Sequence, residues 1–124
     1  MAKSVLIADD EPNIVLSLKF IMEQAGYEVR VARDGDEALE AIAEARPDLV
    51  LLDIMMPKRS GYDICRAIRA EYPDAGIRIV MLTAKGREVE REKGLALGAD
   101  DYITKPFSTR QVVSQVKTLL GDAP

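Results

Sequence analysis

Four apolar runs in this chain each lead into polar residues that can bind a metal ion or a phosphate. The runs and the residues that follow them are 5–8 with Asp9 and Asp10, 49–52 with Asp53, 79–82 with Thr83, and 102–104 with Lys105. If the runs are parallel strands of one sheet, these side chains meet at its carboxyl edge, where open α/β sheets bind ligands. Carboxylates, a hydroxyl and an ammonium in one crevice suit a divalent cation and a phosphoryl group.

Strand and helix patterns alternate from end to end, which predicts an α/β fold. The predicted strands are 5–8, 28–32, 49–52, 77–82 and 101–104. Strands 1, 3 and 4 are continuous apolar runs, as expected for strands covered on both faces, while strands 2 and 5 suit the edges. These features favour a five-stranded parallel sheet of order 2-1-3-4-5, the flavodoxin-like arrangement. Right-handed crossovers then place helices 1 and 5 on one face and helices 2, 3 and 4 on the other.

The first and fourth helices differ in how well their sequences suit a helix. The first begins at Pro12 and ends at Gly26, and its predicted buried stripe is Ile14, Leu18, Ile21 and Ala25. The fourth, predicted over 88–97, is poorly built. Gly94 lies within it, Gly86 and Gly98 lie beside its two ends, and its thin apolar stripe is Val89, Ala96 and Leu97. Because glycine inside a helix costs about 1 kcal/mol relative to alanine, we expect the fourth helix to have a low stability, as elements that move in regulation do.

Composition narrows the classes of function. The net charge of −4 argues against a chain that itself binds nucleic acid, which would usually carry a basic patch. A lone cysteine, Cys65, excludes an internal disulfide and fits a reducing compartment. No signal peptide and no membrane-spanning apolar stretch is recognisable, so we expect a cytoplasmic protein. The chain has no histidine, which excludes a histidine metal ligand or phosphohistidine on this chain.

The predicted acidic cluster implies a cation. Two like charges 4 Å apart repel by roughly 4 kcal/mol at an effective dielectric near 20, so Asp9, Asp10 and Asp53 need compensation. Hard oxygen ligands of this kind suit Mg²⁺. Lys105 offsets part of the remaining charge. Asp53 follows the middle strand of the cluster, and a carboxylate there can itself accept a phosphoryl group as a nucleophile.

Each residue also has an ordinary explanation. Asp53 alone is typical of a turn or a helix cap. The acidic residues 9–11 would favour the positive end of a helix dipole, Thr83 could be a cap, and Lys105 could be a solvated charge. These explanations do not account for all of them following successive strands at one edge, which favours a shared functional site.

Several motifs together resemble a known family. They are Ala8-Asp9-Asp10-Glu11, Leu52-Asp53-Ile54-Met55-Met56-Pro57 with Gly61, Met81-Leu82-Thr83-Ala84, and residues 98–107, Gly-Ala-Asp-Asp-Tyr-Ile-Thr-Lys-Pro-Phe. The chain resembles the receiver domain of two-component response regulators over essentially its whole length, which implies one receiver domain over 1–124. Such a domain is a phosphorylatable signalling switch and not a metabolic enzyme.

The resemblance assigns the acceptor and the metal ligands. It implies that Asp53 is the phosphoacceptor. It also implies that Asp10, Asp53 and the backbone carbonyl of Met55 bind Mg²⁺ directly, while Asp9 acts mainly through water. It suggests in addition a cis peptide bond between Lys105 and Pro106.

Further roles follow from the same resemblance. Thr83 and Lys105 would hold phosphoryl oxygens, and Tyr102 matches the switch aromatic that turns inward when the threonine moves to the phosphate. Met55 and Lys85 lie where the family tunes the access of hydrolytic water, so we expect both to influence the lifetime of the phosphoryl group.

The implied partners are a donor and an output. A sensor histidine kinase or a histidine phosphotransfer protein would supply the phosphoryl group, since this chain has no histidine. Helix 4, strand 5 and helix 5 would then control an output domain or a downstream protein. Homodimer formation on phosphorylation is a further expectation, for which Arg91, Asp100 and Asp101 could supply ion pairs.

Three other classes remain as alternatives. A phosphatase or phosphotransferase of the haloacid dehalogenase type also uses an aspartate nucleophile and Mg²⁺, but it needs a second aspartate where this chain has Met55. A flavodoxin-like cofactor binder needs a first loop rich in Ser, Thr and Gly, whereas residues 9–11 would repel a phosphate. An interaction module that is never phosphorylated is harder to reconcile with the full set of acceptor, metal ligands, threonine and lysine.

Overall fold

Strands and helices alternate in the computed structural model, which describes residues 2–84 and 88–122. The strands within these residues are β1 (Ser4–Ala8), β2 (Glu28–Ala32), β3 (Leu49–Asp53), β4 (Arg78–Ala84) and β5 (Asp101–Lys105). The helices are α1 (Pro12–Gln24), α2 (Gly35–Glu44), α3 (Gly61–Glu71), α4 (Glu88–Ala96) and α5 (Thr109–Leu120). Lys85 and Gly86, which entered the sequence predictions, lie outside the described residues.

The sheet has the predicted topology. All neighbouring strands pair in parallel, in the order β2-β1-β3-β4-β5. This order is flavodoxin-like and confirms the fold class. It makes β1, β3, β4 and β5 contiguous, so their carboxyl ends form one continuous edge.

Alternating side chains of the strands form two separate cores. The core shared with α1 and α5 contains Val5, Ile7, Leu49, Leu51, Val80, Leu82 and Ile103. The opposite core contains Leu6, Ala8, Val50, Leu52, Ile79 and Met81, with residues of α2, α3 and the segment after α4. The predicted distribution of helices over the two faces is therefore confirmed. No helix within the described part of the chain has both the length and the apolar character needed to cross a membrane.

Several strand boundaries differ from the prediction. β3, β4 and β5 each extend into the polar site residues, because Asp53 pairs with Leu82 and Thr83 pairs with Thr104 in the register of the sheet. Strand pairing is formed by backbone groups, so it does not stop where the apolar run stops. The side chains of Asp53, Thr83 and Lys105 are thereby carried by the sheet itself, whereas Asp9 and Asp10 lie in the connection that follows β1.

The buried stripe of α1 is also shifted. The buried residues are Val15, Leu18, Ile21 and Met22, whereas the predicted Ile14 and Ala25 are only half-buried. Ile14 and Val15 are adjacent and both apolar, so helical spacing alone could not decide which one faces the sheet. Ala25 follows the last helical residue and is the C-cap of α1.

Helix α4 is attached to the domain by few contacts. Gly94 is its one buried residue, and Val89, predicted as part of the apolar stripe, is 77% exposed. A Cβ at position 94 would lie 3.2 Å from the Met81 side chain, so this glycine allows the helix to approach the sheet closely. Leu97 lies just beyond the helix and packs against the core. The low stability expected for α4 therefore has two sources, its glycine content and its limited packing against the sheet.

Asp100 joins the amino ends of β4 and β5. Its Oδ2 accepts hydrogen bonds from the backbone N–H of Ile79 at 2.7 Å and from Nη2 of Arg69 at 2.9 Å. Its Oδ1 lies 3.4 Å from Nη1 of Arg78. One carboxylate thus connects α3, β4 and the start of β5.

Replacing Asp100 with alanine should destabilise the domain. The change leaves the Ile79 N–H and the Arg69 guanidinium without this acceptor, which should cost about 2–3 kcal/mol. Urea unfolding measures the free energy, and Asp74→Ala in an exposed turn serves as the matched control. Equal stabilities of the two variants would contradict the assigned role of Asp100.

Candidate functional site

The carboxyl edge of the sheet brings the predicted site residues together. Asp9 follows β1, Asp53 ends β3, Thr83 lies near the end of β4, and Lys105 ends β5. Asp10, Asp53, Thr83 and Lys105 line one cavity of about 260 Å³. Asp9 is fully buried, and Asp53 is only 5% exposed. The structure therefore assembles a polar site with two buried carboxylates at the edge that the sequence predicted.

Lys105 offsets the charge of several carboxylates at once. Its Nζ lies 3.0 Å from Oδ2 of Asp9, 3.4 Å from Oε1 of Glu11 and 3.6 Å from Oδ1 of Asp53. Burial alone would lower the pKa of Lys105, but these carboxylates outweigh burial and raise it. The lysine is therefore a permanent cation of the site. Its peptide bond to Pro106 is cis, as the sequence motif implied.

The Asp53 carboxylate is held in an unfavourable environment. Burial and then the nearby charge of Asp9 raise the pKa of Asp53 from 3.8 to about 6, although Lys105 acts in the opposite direction. The backbone N–H of Met55 donates to Oδ1 of Asp53 at 3.2 Å. Desolvation leaves this carboxylate poorly compensated, which is a suitable condition for a nucleophile that gains from a bound cation.

The residues present fit a magnesium ion. Asp9, Asp10 and Asp53 each offer a carboxylate oxygen, and these oxygens lie within 4.8 Å of one another. Oδ1 of Asp9 already accepts the backbone N–H of Glu11 at 2.9 Å. A set of hard oxygen donors with one exposed member, Asp10, is the chemistry that Mg²⁺ requires, since it retains several of its waters.

Thr83 and Gly61 complete the local geometry. Oγ1 of Thr83 is buried, and no group in the described ranges forms a hydrogen bond with it. Such an orphaned hydroxyl is uncommon and can serve an incoming oxygen acceptor. A Cβ at Gly61 would lie 2.4 Å from the carbonyl oxygen of Asp53, so only glycine lets α3 begin this close to the end of β3.

Tyr102 lies outside the cavity lining. It is half-buried, and the Arg91 guanidinium lies over its ring, 5.1 Å from the ring centroid. Its carbonyl accepts a hydrogen bond at 3.1 Å from Nε2 of Gln115, which also donates to Asp101. The structure therefore ties the predicted switch residue to α4 through its ring and to α5 through its backbone.

The remaining predictions have mixed outcomes. Met55 lines the cavity with a side chain that is 73% exposed, while Lys85 lies outside the described residues. Glu11 and Glu90 also line the cavity, although neither was among the predicted site residues. Glu11 could have been suspected from its position next to Asp10. Nothing in the sequence indicated that Glu90 lines the cavity, because its position there depends on how α4 packs against the sheet.

Removing the charge of Asp53 should stabilise the metal-free protein. Because the folded-state pKa is raised, the protonated carboxyl stabilises the fold below about pH 4, and this contribution is lost as pH rises through about 6. In the Asp53→Asn variant, the amide oxygen would still accept the Met55 N–H. In chelator at neutral pH, this variant should be more stable than wild type by about 1–3 kcal/mol.

Chemical unfolding across a pH series tests this prediction. The stabilisation by Asp53→Asn should fall towards zero near pH 4, where the wild-type carboxyl is protonated as well. Asp74→Asn, an exposed matched control, should show little change. A variant less stable than wild type at neutral pH would contradict the electrostatic account.

Comparison with known proteins agrees with this geometry. The family model for the response regulator receiver domain matches residues 5–117. A Chloroflexus aurantiacus J-10-fl structure described as a response regulator is 36% identical, covers 98% of this chain and 99% of that chain, and has a TM-score of 0.93. NtrX from Brucella abortus is 31% identical over 98% of this chain and 27% of that chain, with a TM-score of 0.91. The BeF3-activated receiver domain of DrrB is 32% identical over 98% and 99% of the two chains, with a TM-score of 0.89. The chain therefore belongs to the receiver domain family of response regulators.

Proposed function

We propose that Asp53 accepts a phosphoryl group from a sensor histidine kinase or a histidine phosphotransfer protein. The observation that carries this proposal is the juxtaposition of a buried, poorly compensated carboxylate with the Lys105 ammonium at 3.6 Å. The orphaned hydroxyl of Thr83 lies in the same cavity. Since the chain has no histidine, the donor is a separate protein or domain.

The transfer step assigns each residue a role. An oxygen of Asp53 forms a bond to phosphorus while the phosphorus–nitrogen bond of the donor breaks, and the electron pair stays on the imidazole nitrogen. Thr83 and Lys105 hold phosphoryl oxygens by a hydroxyl and an ammonium. Asp10, Asp53 and the Met55 carbonyl would hold Mg²⁺, with Asp9 acting through water. When bound, the ion supplies positive charge that offsets the phosphoryl oxygens.

The product is an aspartyl phosphate that water hydrolyses. Met55 and Lys85 are proposed to tune how quickly water reaches it, and Met55 does line the cavity. We propose that the chain is one receiver domain over 1–124 that catalyses only its own phosphorylation and dephosphorylation. The acidic net charge and the single cysteine support a cytoplasmic location without direct contact to nucleic acid or membrane.

Intact-mass analysis tests the proposed acceptor. With acetyl phosphate and Mg²⁺, the wild-type protein should gain the mass of one phosphoryl group, and this gain should disappear in chelator. Asp53→Asn should gain nothing, whereas Asp74→Asn should behave like wild type. A phosphorylated Asp53→Asn protein would exclude Asp53 as the acceptor.

The output surface is proposed to be α4, β5 and α5. Tyr102 connects these elements through Arg91 of α4 and Gln115 of α5. If Thr83 moves to the phosphoryl group and Tyr102 turns inward, the Arg91–ring contact must break. The resting contact then opposes activation. Phosphorylation on this account shifts α4 and Tyr102, and through them an output domain or a downstream partner.

Three residues expected to serve a homodimer already have partners within this chain. Asp100 binds Arg69 and Arg78, Asp101 accepts from Gln115, and Arg91 contacts Glu88 and the Tyr102 ring. A homodimer formed on phosphorylation would have to redistribute these contacts. We therefore propose such a dimer only for the activated state.

Arg91→Met should increase the affinity for beryllofluoride, a phosphoryl mimic. A cation–π contact contributes about 0.5–1 kcal/mol, so its loss should favour the activated arrangement about two- to fivefold. Titration in the presence of Mg²⁺ measures the affinity. Arg46→Met removes a similar contact, 5.0 Å from the Tyr72 ring and away from the site, and should leave the affinity unchanged. Equal affinities of wild type and Arg91→Met would show that the contact between Arg91 and the Tyr102 ring does not oppose activation.

A further inference from the structure

Two glutamates without an assigned role approach the acceptor cavity from different elements. Glu11 immediately precedes α1, which packs on one face of the sheet. Glu90 belongs to the first turn of α4, which packs on the other face. Both line the cavity that contains Asp53 and Lys105. Together with Asp10, they place carboxylates on several sides of the route to the acceptor.

The placement of Glu11 is not explained by helix capping. Glu11 is the N-cap residue of α1, but its side chain forms no capping hydrogen bond. Its Oε1 lies 3.4 Å from Nζ of Lys105, while the side chain remains 60% exposed. The carboxylate therefore faces both solvent and the lysine that is proposed to hold a phosphoryl oxygen.

Glu90 is fixed near the cavity by its own backbone. Its carbonyl accepts a hydrogen bond from the Tyr62 hydroxyl at 3.3 Å, which ties the first turn of α4 to α3. Burial, followed by the charge of Glu90, raises the pKa of Tyr62, so the carboxylate acts within the α3–α4 contact. Lys93, one of the next residues of α4, covers the same tyrosine ring at 4.4 Å.

We propose that Glu11 and Glu90 select the phosphoryl donor by charge, favouring phosphoramidate-type donors over acyl phosphates. This inference rests on the proposed function of Asp53. At neutral pH acetyl phosphate is a dianion, whereas phosphoramidate carries a protonated nitrogen and is a monoanion. A phosphohistidine with a protonated imidazole has the same reduced net charge, because the positive charge on its ring offsets part of the phosphoryl charge. Each carboxylate repels the dianion more strongly than the monoanion.

Both donors deliver the same group to the same atom. In each reaction an oxygen of Asp53 forms the new bond to phosphorus. With phosphoramidate the phosphorus–nitrogen bond breaks, and its electron pair leaves on nitrogen as ammonia. With acetyl phosphate the phosphorus–oxygen bond breaks, and its electron pair leaves on acetate. Since acceptor and product are identical, the ratio of the two rates isolates the response to donor charge.

The test compares the two rate constants in glutamine variants. Intact-mass time courses with Mg²⁺ give the second-order rate constants for acetyl phosphate and phosphoramidate. In Glu11→Gln and in Glu90→Gln, the ratio of the acetyl phosphate rate to the phosphoramidate rate should rise about two- to fivefold over wild type. In about 1 M potassium chloride the difference should largely vanish, because the screening length falls to about 3 Å.

Matched controls carry the same charge change outside the cavity. Glu92→Gln lies two residues from Glu90 on α4, and Glu23→Gln lies on α1, and both side chains are exposed. Both controls should keep the wild-type ratio. If Glu11→Gln and Glu90→Gln change both rate constants equally, or change neither, selection of the donor by charge is overturned. The proposed function of Asp53 still holds in that case, provided that the wild-type protein is phosphorylated. A wild-type protein that neither donor phosphorylates overturns the proposed function as well.

Discussion

The ion-pair cluster of Asp9, Asp53 and Lys105 is the interaction on which the rest of this structure depends. Two buried carboxylates, one just after β1 and one at the end of β3, share one lysine, whose ammonium lies 3.0 Å and 3.6 Å from them. Burial and like charge make this arrangement costly, as the raised pKa of Asp53 shows. The fold tolerates this unfavourable free energy because its two apolar cores hold β1, β3 and β5 in register. The domain thus holds a destabilised carboxylate at this edge of the sheet, which is what the proposed reaction of Asp53 with a cation and a phosphoryl group requires.

The helix with the fewest buried residues, α4, lies directly beside this cluster. Gly94 is the one buried residue of α4, and the helix also contacts tyrosine rings through Arg91 and Lys93. Elements with few buried contacts move at low free-energy cost. Glu90 of the same helix lines the cavity that contains Asp53, so the helix and the carboxylate share one cavity. The geometry therefore joins the proposed chemistry to the proposed output surface.

Most of the fold was predictable, because burial differs so clearly among the strands. Continuous apolar runs placed β1, β3 and β4 inside the sheet, and that order predicted the meeting of Asp53, Thr83 and Lys105. Local details were less accessible. Ile14 and Val15 are equally apolar, so their pattern could not give the rotation of α1. The contact between Glu11 and Lys105 joins residues 94 positions apart, and the position of Glu90 depends on a helix whose sequence has only a thin apolar stripe.

A crystal structure grown with magnesium and beryllofluoride tests the central claim most directly. We expect a beryllofluoride group bonded to a carboxylate oxygen of Asp53, with its fluorines contacted by the Thr83 hydroxyl and the Lys105 ammonium. A magnesium ion should be held by Asp10, Asp53 and the Met55 carbonyl. A structure in which Asp53 stays unmodified, with Lys105 still paired to Asp9 and no ion among the carboxylates, would contradict the account.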